Sequence, residues 1–190
     1  QSLVPSLLGA RRTNESLANA RIELFEIAKV YWPQEGELPA EERLLALTSG
    51  RPYLEVKGIV ESLIEGLHLK DARFEPVNHS TFFPGRTAQL IVNGREVGPL
   101  GELHPLVRST FELPEQPVLV AEFDLDALLA DMPDLYPVQP ISNYPAIYQD
   151  IAVVVSESTP AADVEAVIWE AGGELLRGLR LFDVYRGSQV

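Results

Sequence analysis

The segment Phe82-Phe-Pro-Gly-Arg-Thr-Ala-Gln-Leu-Ile-Val-Asn-Gly-Arg-Glu-Val-Gly-Pro-Leu-Gly-Glu-Leu-His-Pro105 constrains the fold of this chain more than any other. Asn93-Gly94 is the dipeptide that most readily supplies two consecutive residues with φ > 0. A two-residue hairpin turn needs both if its twist is to match that of the flanking strands. Two short strands are therefore predicted around it. Gly98 and Gly101 punctuate the return strand, and His104-Pro105 ends it, because a residue before proline is pushed away from α geometry.

Other strand signals surround this hairpin. Ile22–Tyr31 reads as a long strand, with Ile22 and Leu24 on one face and Phe25, Ile27 and Tyr31 on the other after an irregularity. Leu44–Ser49, Leu69–Val77 and Gln116–Phe123 are further strands. The best helix is Tyr53–Leu67, where Val56, Ile59, Val60, Leu63, Ile64 and Leu67 recur at helical spacing. Leu3, Leu7 and Leu8 mark a first helix with Ser2 or Ser6 as cap, while Arg11–Asn19 is poorly periodic. Asp124 is placed to cap a short helix, Leu125–Ala130. The prediction for residues 1–138 is a mainly antiparallel sheet with the Tyr53–Leu67 helix packed on one face.

Met132–Pro140 holds three prolines and no periodicity, and is the expected domain boundary. Beyond Tyr144-Pro145 the pattern restarts as β-α-β. Ile151–Val155 is a strand, Thr159 caps a helix with Pro160 at its first position, Gly172-Gly173 stops it, and Leu175–Tyr185 is the second strand. The two strands are expected side by side, and the unit is expected to be incompletely stabilised on its own, because two strands and one helix are a marginal core.

Composition narrows the function. With 46% hydrophobic and 23% charged residues the chain has an ordinary globular balance. No apolar run approaches the ~20 residues that span a bilayer, so no membrane partner is expected. There is no cysteine, which excludes disulfides and thiolate metal sites. The chain begins at Gln1 and reads as an internal piece of a longer polypeptide. A net charge of −13 argues against nucleic-acid binding over a broad basic surface, since phosphate contacts dominate such affinity. Any RNA contact must be local.

Few residues carry a chemical signature. Glu102 and His104 share a strand face, but no third ligand lies at useful spacing, so no metal site is expected and His68, His79 and His104 read as structural. Asp124 and Asp126 look like a carboxylate pair, yet a cap plus a first-turn acid accounts for both. Arg86 follows the Pro84-Gly85 turn and is expected to pair with a local carboxylate. Ser6, Ser80 and Ser109 lack a His–Asp arrangement. Arg177, Arg180 and Arg186, with Phe182 and Tyr185, form the one local concentration of basic and aromatic residues. It suits RNA stacking on a sheet, and equally a core Phe182 with solvated arginines.

As a string of residues the opening hairpin closely resembles a segment of the β subunit of bacterial phenylalanyl-tRNA synthetases. The likeness extends to Ser2-Leu-Val-Pro-Ser-Leu-Leu8, Leu24-Phe-Glu-Ile-Ala-Lys-Val-Tyr31, Tyr53-Leu-Glu-Val-Lys-Gly-Ile-Val60 and Val120-Ala-Glu-Phe-Asp-Leu-Asp-Ala-Leu-Leu129. It continues from Tyr144-Pro-Ala through Asp150-Ile-Ala-Val-Val-Val155 to Leu181-Phe-Asp-Val-Tyr-Arg-Gly187, in the family's order. Two departures stand out: Gln149 replaces the usual Arg, and Ala28 the usual Gly.

The resemblance implies an α+β chain. Residues 1–138 would be the C-terminal part of a class II synthetase-like core. Residues 139–190 would be the N-terminal half of a ferredoxin-like anticodon-binding domain. The parent would be a cytoplasmic ligase of two α and two β subunits that uses ATP and Mg²⁺ to charge phenylalanine tRNA. Its partners would be the α subunit, the second αβ pair and the tRNA, with Arg177, Arg180, Tyr185 and Arg186 as tRNA-binding residues. Active class II cores aim arginines at the ATP phosphates. The corresponding strand, Ile22–Tyr31, offers Glu23, Glu26 and Lys29, and the strand-to-helix passage Glu122–Leu129 offers neither glycine nor arginine. No catalytic residue is therefore expected in this chain, and activation would belong to the α subunit. The rival expectation is a non-enzymatic RNA- or small-ligand-binding module with a ferredoxin-like unit, to be recognised by a different sheet order in residues 1–138.

Overall fold

The computed structural model describes residues 1–135, 138, 141 and 143–186. The chain forms two compact units, Gln1–Val138 and Gln139–Val190. Part of the proline-rich segment and residues 187–190 lie outside the described residues.

The first unit is built on six strands: β1 (Glu23–Trp32), β2 (Ala40–Ser49), β3 (Ala72–Pro76), β4 (Phe82–Val92), β5 (Arg95–Leu103) and β6 (Leu119–Asp124). Their order across the sheet is β1-β2-β6-β5-β4-β3, and every neighbouring pair is antiparallel. Asn93 (φ 49°) and Gly94 (φ 77°) make the predicted tight turn between β4 and β5. The ladder then shifts register between Leu90 and Ile91, which sets Val97 apart as an extra residue. Gly98 follows at φ 153°, and a Cβ there would overlap the Glu122 carbonyl of β6. Only glycine allows the bulged strand to approach its neighbour so closely.

Helices cover both faces. Alternation along β2 and β6 sends Leu45, Leu119, Ala121 and Phe123 to one side, where they pack with Val56, Val60 and Ile64 of α2 (Tyr53–Gly66) and Leu128 of α4 (Leu125–Ala130). Each buried side chain of that α2 stripe contributes roughly 1.5–3 kcal/mol. The opposite side takes Leu44, Ala46, Val118 and Val120, which meet Leu3, Val4, Leu7 and Leu8 at the start of α1 (Val4–Ser16). A short α3 (Pro105–Thr110) begins where His104-Pro105 ends β5, and the His104 Nδ1 accepts the Leu106 N–H at 3.2 Å.

The first unit departs from expectation in several places. Leu3 rather than Ser2 or Ser6 is the cap of α1, Ile59 of the α2 stripe is exposed, and β2 starts at Ala40 rather than Leu44. Strand β1 and the end of α1 differ as well. Strand β1 has ten consecutive partners in β2 and no irregularity, so Leu24, Ala28 and Val30 face inward while Phe25 (73% exposed), Ile27 and Tyr31 face out. Helix α1 runs on to Ser16 because the buried position after Leu8 in its stripe is Arg11, a cation that an apolar pattern does not register. Thr13 and Asn14 reinforce that turn by donating to the carbonyls of Gly9 and Ala10.

In the second unit α5 (Ala161–Gly172) forms and ends at Gly173 (φ 51°). Pro160 itself occupies the cap position, and Thr159 makes no cap hydrogen bond. Ile151–Val155 and Leu175–Tyr185 are not strands here: the former has no regular structure, and the latter starts within a 3₁₀ turn (Gly173–Leu175). Among the described residues no backbone hydrogen bond joins the two segments. Side-by-side pairing was the wrong expectation, because the ferredoxin-like arrangement is a split β-α-β, in which another strand separates the two. Residues 143–186 supply no such strand.

Two outcomes follow. Gly98→Ala should lower stability by about 3 kcal/mol through backbone overlap and φ strain, read as a fall in denaturant midpoint, whereas Gly58→Ala, in α2 with open space around it and no positive φ, should cost nothing. In residues 144–190 expressed alone, hydrogen exchange over Ile151–Val155 and Leu175–Tyr185 should be unprotected. Slow exchange across both would show an independently folded half-domain.

Candidate functional site

Helix α1 lies on the Leu44, Ala46 and Val120 face of the sheet with its N-terminus directed at β6. The first N–H groups of any helix lack intrahelical partners and carry the positive end of its dipole, so they attract an anion. Here the anion is internal. Glu122 projects from the middle of β6 on the α1 side, and its Oε1 accepts the Leu3 N–H at 2.6 Å and the Ser2 hydroxyl at 3.0 Å. The Ser2 Oγ in turn accepts the Val4 N–H at 3.1 Å. On β1, the Glu26 Oε2 lies 2.7 Å from the Ser6 Oγ, in the first turn of the same helix.

Beside Glu122 opens a cleft of ≈ 560 Å³, with Trp32, Phe82, Pro99 and Phe111 among its walls and Asp124 at its edge. Asp124 is committed as well: its Oδ1 accepts the Ala127 N–H at 2.9 Å and caps α4. Asp126 pairs with Arg43 of β2, which holds the Asp126 carboxyl below the usual carboxylate range. These residues do not fit a nucleotide triphosphate. The helix terminus that could receive phosphate is closed by Glu122, and the Glu122 and Asp124 carboxylates repel it.

The other sequence-flagged residues have structural partners. Arg86 pairs with Glu102 at 2.6 Å and lies 4.7 Å from the Phe83 ring centroid. His104 caps α3, and the His79 Nδ1 faces the Thr81 N–H at 3.3 Å. Among the described residues no group of three or more His, Cys, Asp or Glu is placed to hold a metal ion.

Arg177, Arg180, Tyr185 and Arg186 are all exposed in a stretch without regular structure. Arg186 pairs with Glu157 at 2.7 Å, whereas Arg177 and Arg180 make no hydrogen bond or ion pair among the described residues. Among the described residues no hydrogen bond or ion pair joins the side chains of any two of the four, and Phe182 is exposed rather than core.

Sequence reasoning missed Glu122 as the anchor of α1. The signal was a lone acid at an inward-facing position of the apolar run Val118–Phe123.

The family model of the phenylalanyl tRNA synthetase beta chain CLM domain matches residues 1–125, and that of the ferredoxin-fold anticodon binding domain matches residues 142–190. The chain belongs to the phenylalanyl-tRNA synthetase β-chain family. It is 41% identical over 203 residues to the phenylalanine–tRNA ligase β subunit of Symbiobacterium thermophilum, with 99% of this chain and 23% of that protein covered. The β subunits of Moorella thermoacetica (38% identical; 100% of this chain, 25% of that protein) and Clostridium tetani (36%; 97% and 24%) are similar too. The chain thus spans about a quarter of the length of these curated relatives. A pyrrolysyl-tRNA synthetase from Desulfitobacterium hafniense shares the fold at a TM-score of 0.55 and 21% identity, over 67% of this chain and 46% of that one. The rival of an unrelated binding module is not favoured.

Glu122→Ala should cost about 1–2 kcal/mol, as loss of a helix cap does. Near-ultraviolet circular dichroism at the denaturation midpoint checks it. Glu122→Gln should recover part of the loss, since its amide oxygen still accepts the Leu3 N–H.

Proposed function

We propose that the chain is the part of a phenylalanine–tRNA ligase β subunit that presents a non-catalytic class II-like sheet to the α subunit and opens the anticodon-contacting domain. The α subunit uses ATP and Mg²⁺ to activate phenylalanine. The β chain supports that subunit and helps hold phenylalanine tRNA, within a cytoplasmic assembly of two αβ pairs. What supports a non-catalytic role is the Glu122 carboxylate on the N-terminus of α1, with Glu26 beside it. An ATP-activating site needs positive groups preorganised toward the phosphates, and losing one such contact costs roughly a hundredfold or more. Here carboxylates take that place.

The tRNA role rests on the anticodon-domain match to residues 142–190 and on the exposed guanidiniums of Arg177 and Arg180, which pair with nothing among the described residues. Tyr185 would add a stacking face, and Arg186 would join once released from Glu157. Among the described residues no helix is long and apolar enough to cross a membrane.

The chain without an α subunit should give no phenylalanine-dependent ATP–pyrophosphate exchange. The assembled ligase should give it, with kcat unchanged by Glu26→Gln. Exchange by the chain alone, or its abolition by Glu26→Gln in the assembly, would overturn the non-catalytic reading.

A further inference from the structure

A second cleft, of ≈ 430 Å³, opens where the end of α1, the link into β1, the β2–α2 turn and the link into β6 meet. Its walls are polar, and arginines from three of these segments converge on it: Arg11, Arg21 and Arg51. Arg11 is only 5% exposed. Its Nη1 donates to the Ile22 carbonyl at 3.0 Å and its Nη2 to Glu15 at 2.9 Å, while its Nε has no partner. Gly50 leaves room for this guanidinium, since a Cβ there would stand 3.2 Å from Nη2. A buried orphan donor costs roughly 1–3 kcal/mol, so such a group marks a place where a missing acceptor matters.

The acids of the cleft are already committed. Glu15 pairs with Arg11, and Glu23 and Glu55 both pair with Arg51. Arg21 is different: it is exposed and makes no hydrogen bond or ion pair among the described residues. Its charge reaches into the cleft, where it helps Arg51 hold the Glu23 carboxyl below the usual range. The Gln116 side-chain amide, also at the cleft, has no partner among the described residues. Donors thus approach from several directions around one opening, with a fixed cation behind them. That arrangement suits a tetrahedral anion, which offers acceptor oxygens all round, better than a planar carboxylate held by a single arginine fork.

We infer that this cleft is a phosphate-binding site, with Arg21 and Gln116 contacting the anion and Arg11 fixing positive charge at its floor. The phosphate belongs either to the tRNA backbone or to a small free phosphate ligand. The tRNA source rests on the function proposed above, whereas phosphate binding itself does not.

The probes are inorganic phosphate and phenylalanine tRNA. Phosphate titrated into isotopically labelled chain at constant ionic strength should shift the Arg21 and Arg11 side-chain resonances at millimolar concentration. Arg21→Ala should weaken that binding at least tenfold, while Arg86→Ala, on the distant hairpin, leaves it unchanged. In the assembled ligase, tRNA affinity is then measured across a salt series. If tRNA supplies the phosphate, Arg21→Ala reduces the slope of log K against log salt by about one. If a small ligand supplies it, the slope stays and only inorganic phosphate binding falls. Both results support the site. No phosphate-induced shift together with an unchanged tRNA slope, or equal phosphate binding by Arg21→Ala and the parent chain, overturns it. An assembly that fails to bind tRNA at all counts against the ligase reading and leaves the phosphate arm standing.

Discussion

Strand β6 has to be covered on both faces, and most of the first unit is arranged to satisfy that requirement. Leu119, Ala121 and Phe123 point to one side, and Val120 points to the other with Val118 just before the strand; all five are buried. A strand buried on both faces needs a layer of helices above and below it. It also leaves no place for a polar side chain unless that side chain finds a partner. The two acids of β6 find theirs at helix N-termini, Glu122 at α1 and Asp124 at α4. One six-residue strand therefore fixes a helix on each side of the sheet. Gly98 completes the arrangement from β5, since it lets that strand lie against the Glu122 carbonyl without a Cβ between them.

Local signals were readable in the sequence because local chemistry decides them. Asn93-Gly94 supplies its own φ > 0, Asp124 is three residues from the N–H it caps, and the α2 stripe repeats at the helical period whatever lies opposite. The faces of β1 were not readable in the same way. Phe25 and Ile27 are as apolar as Leu24 and Val30, and only the position of α1 decides which set is covered. The end of α1 was hidden for a related reason. Arg11 occupies a buried stripe position, and its burial depends on the Ile22 carbonyl and Glu15 rather than on hydrophobicity. In the second unit the failure has another source: a strand is a relation between segments, and apolar composition cannot show whether the neighbour is present.

The candidate site divides along the same line. That arginines are missing from Ile22–Tyr31 and Glu122–Leu129 is a statement about composition, and the sequence carries it in full. That Glu122 closes the N-terminus of α1 is a contact across 119 positions, which no spacing rule reaches. The polar cleft around Arg21 is equally non-local, since it draws on four connections that are adjacent only after the sheet has formed.

The Glu122 carboxylate under α1 also satisfies a helix N-terminus without any bound ligand. In a binding enzyme a helix N-terminus is left open for the substrate's anion, and its unsatisfied N–H groups are a cost carried until the ligand arrives. Glu122 removes that cost permanently. The helix gains a fixed acceptor, and the strand gains a partner for an inward-facing charge. Neither gain depends on nucleotide concentration, so the sheet keeps its geometry with no ligand bound. The outer edge is managed by a similar device. The exposed row Phe25, Ile27 and Tyr31 on β1 is interrupted by Lys29, which is paired with Glu41 across the ladder. Charges on an edge strand, here Lys29 and Glu23 on the exposed face, oppose indiscriminate strand pairing while leaving the apolar residues between them available to a specific neighbour. Both features hold the shape of a surface without calling on a bound ligand.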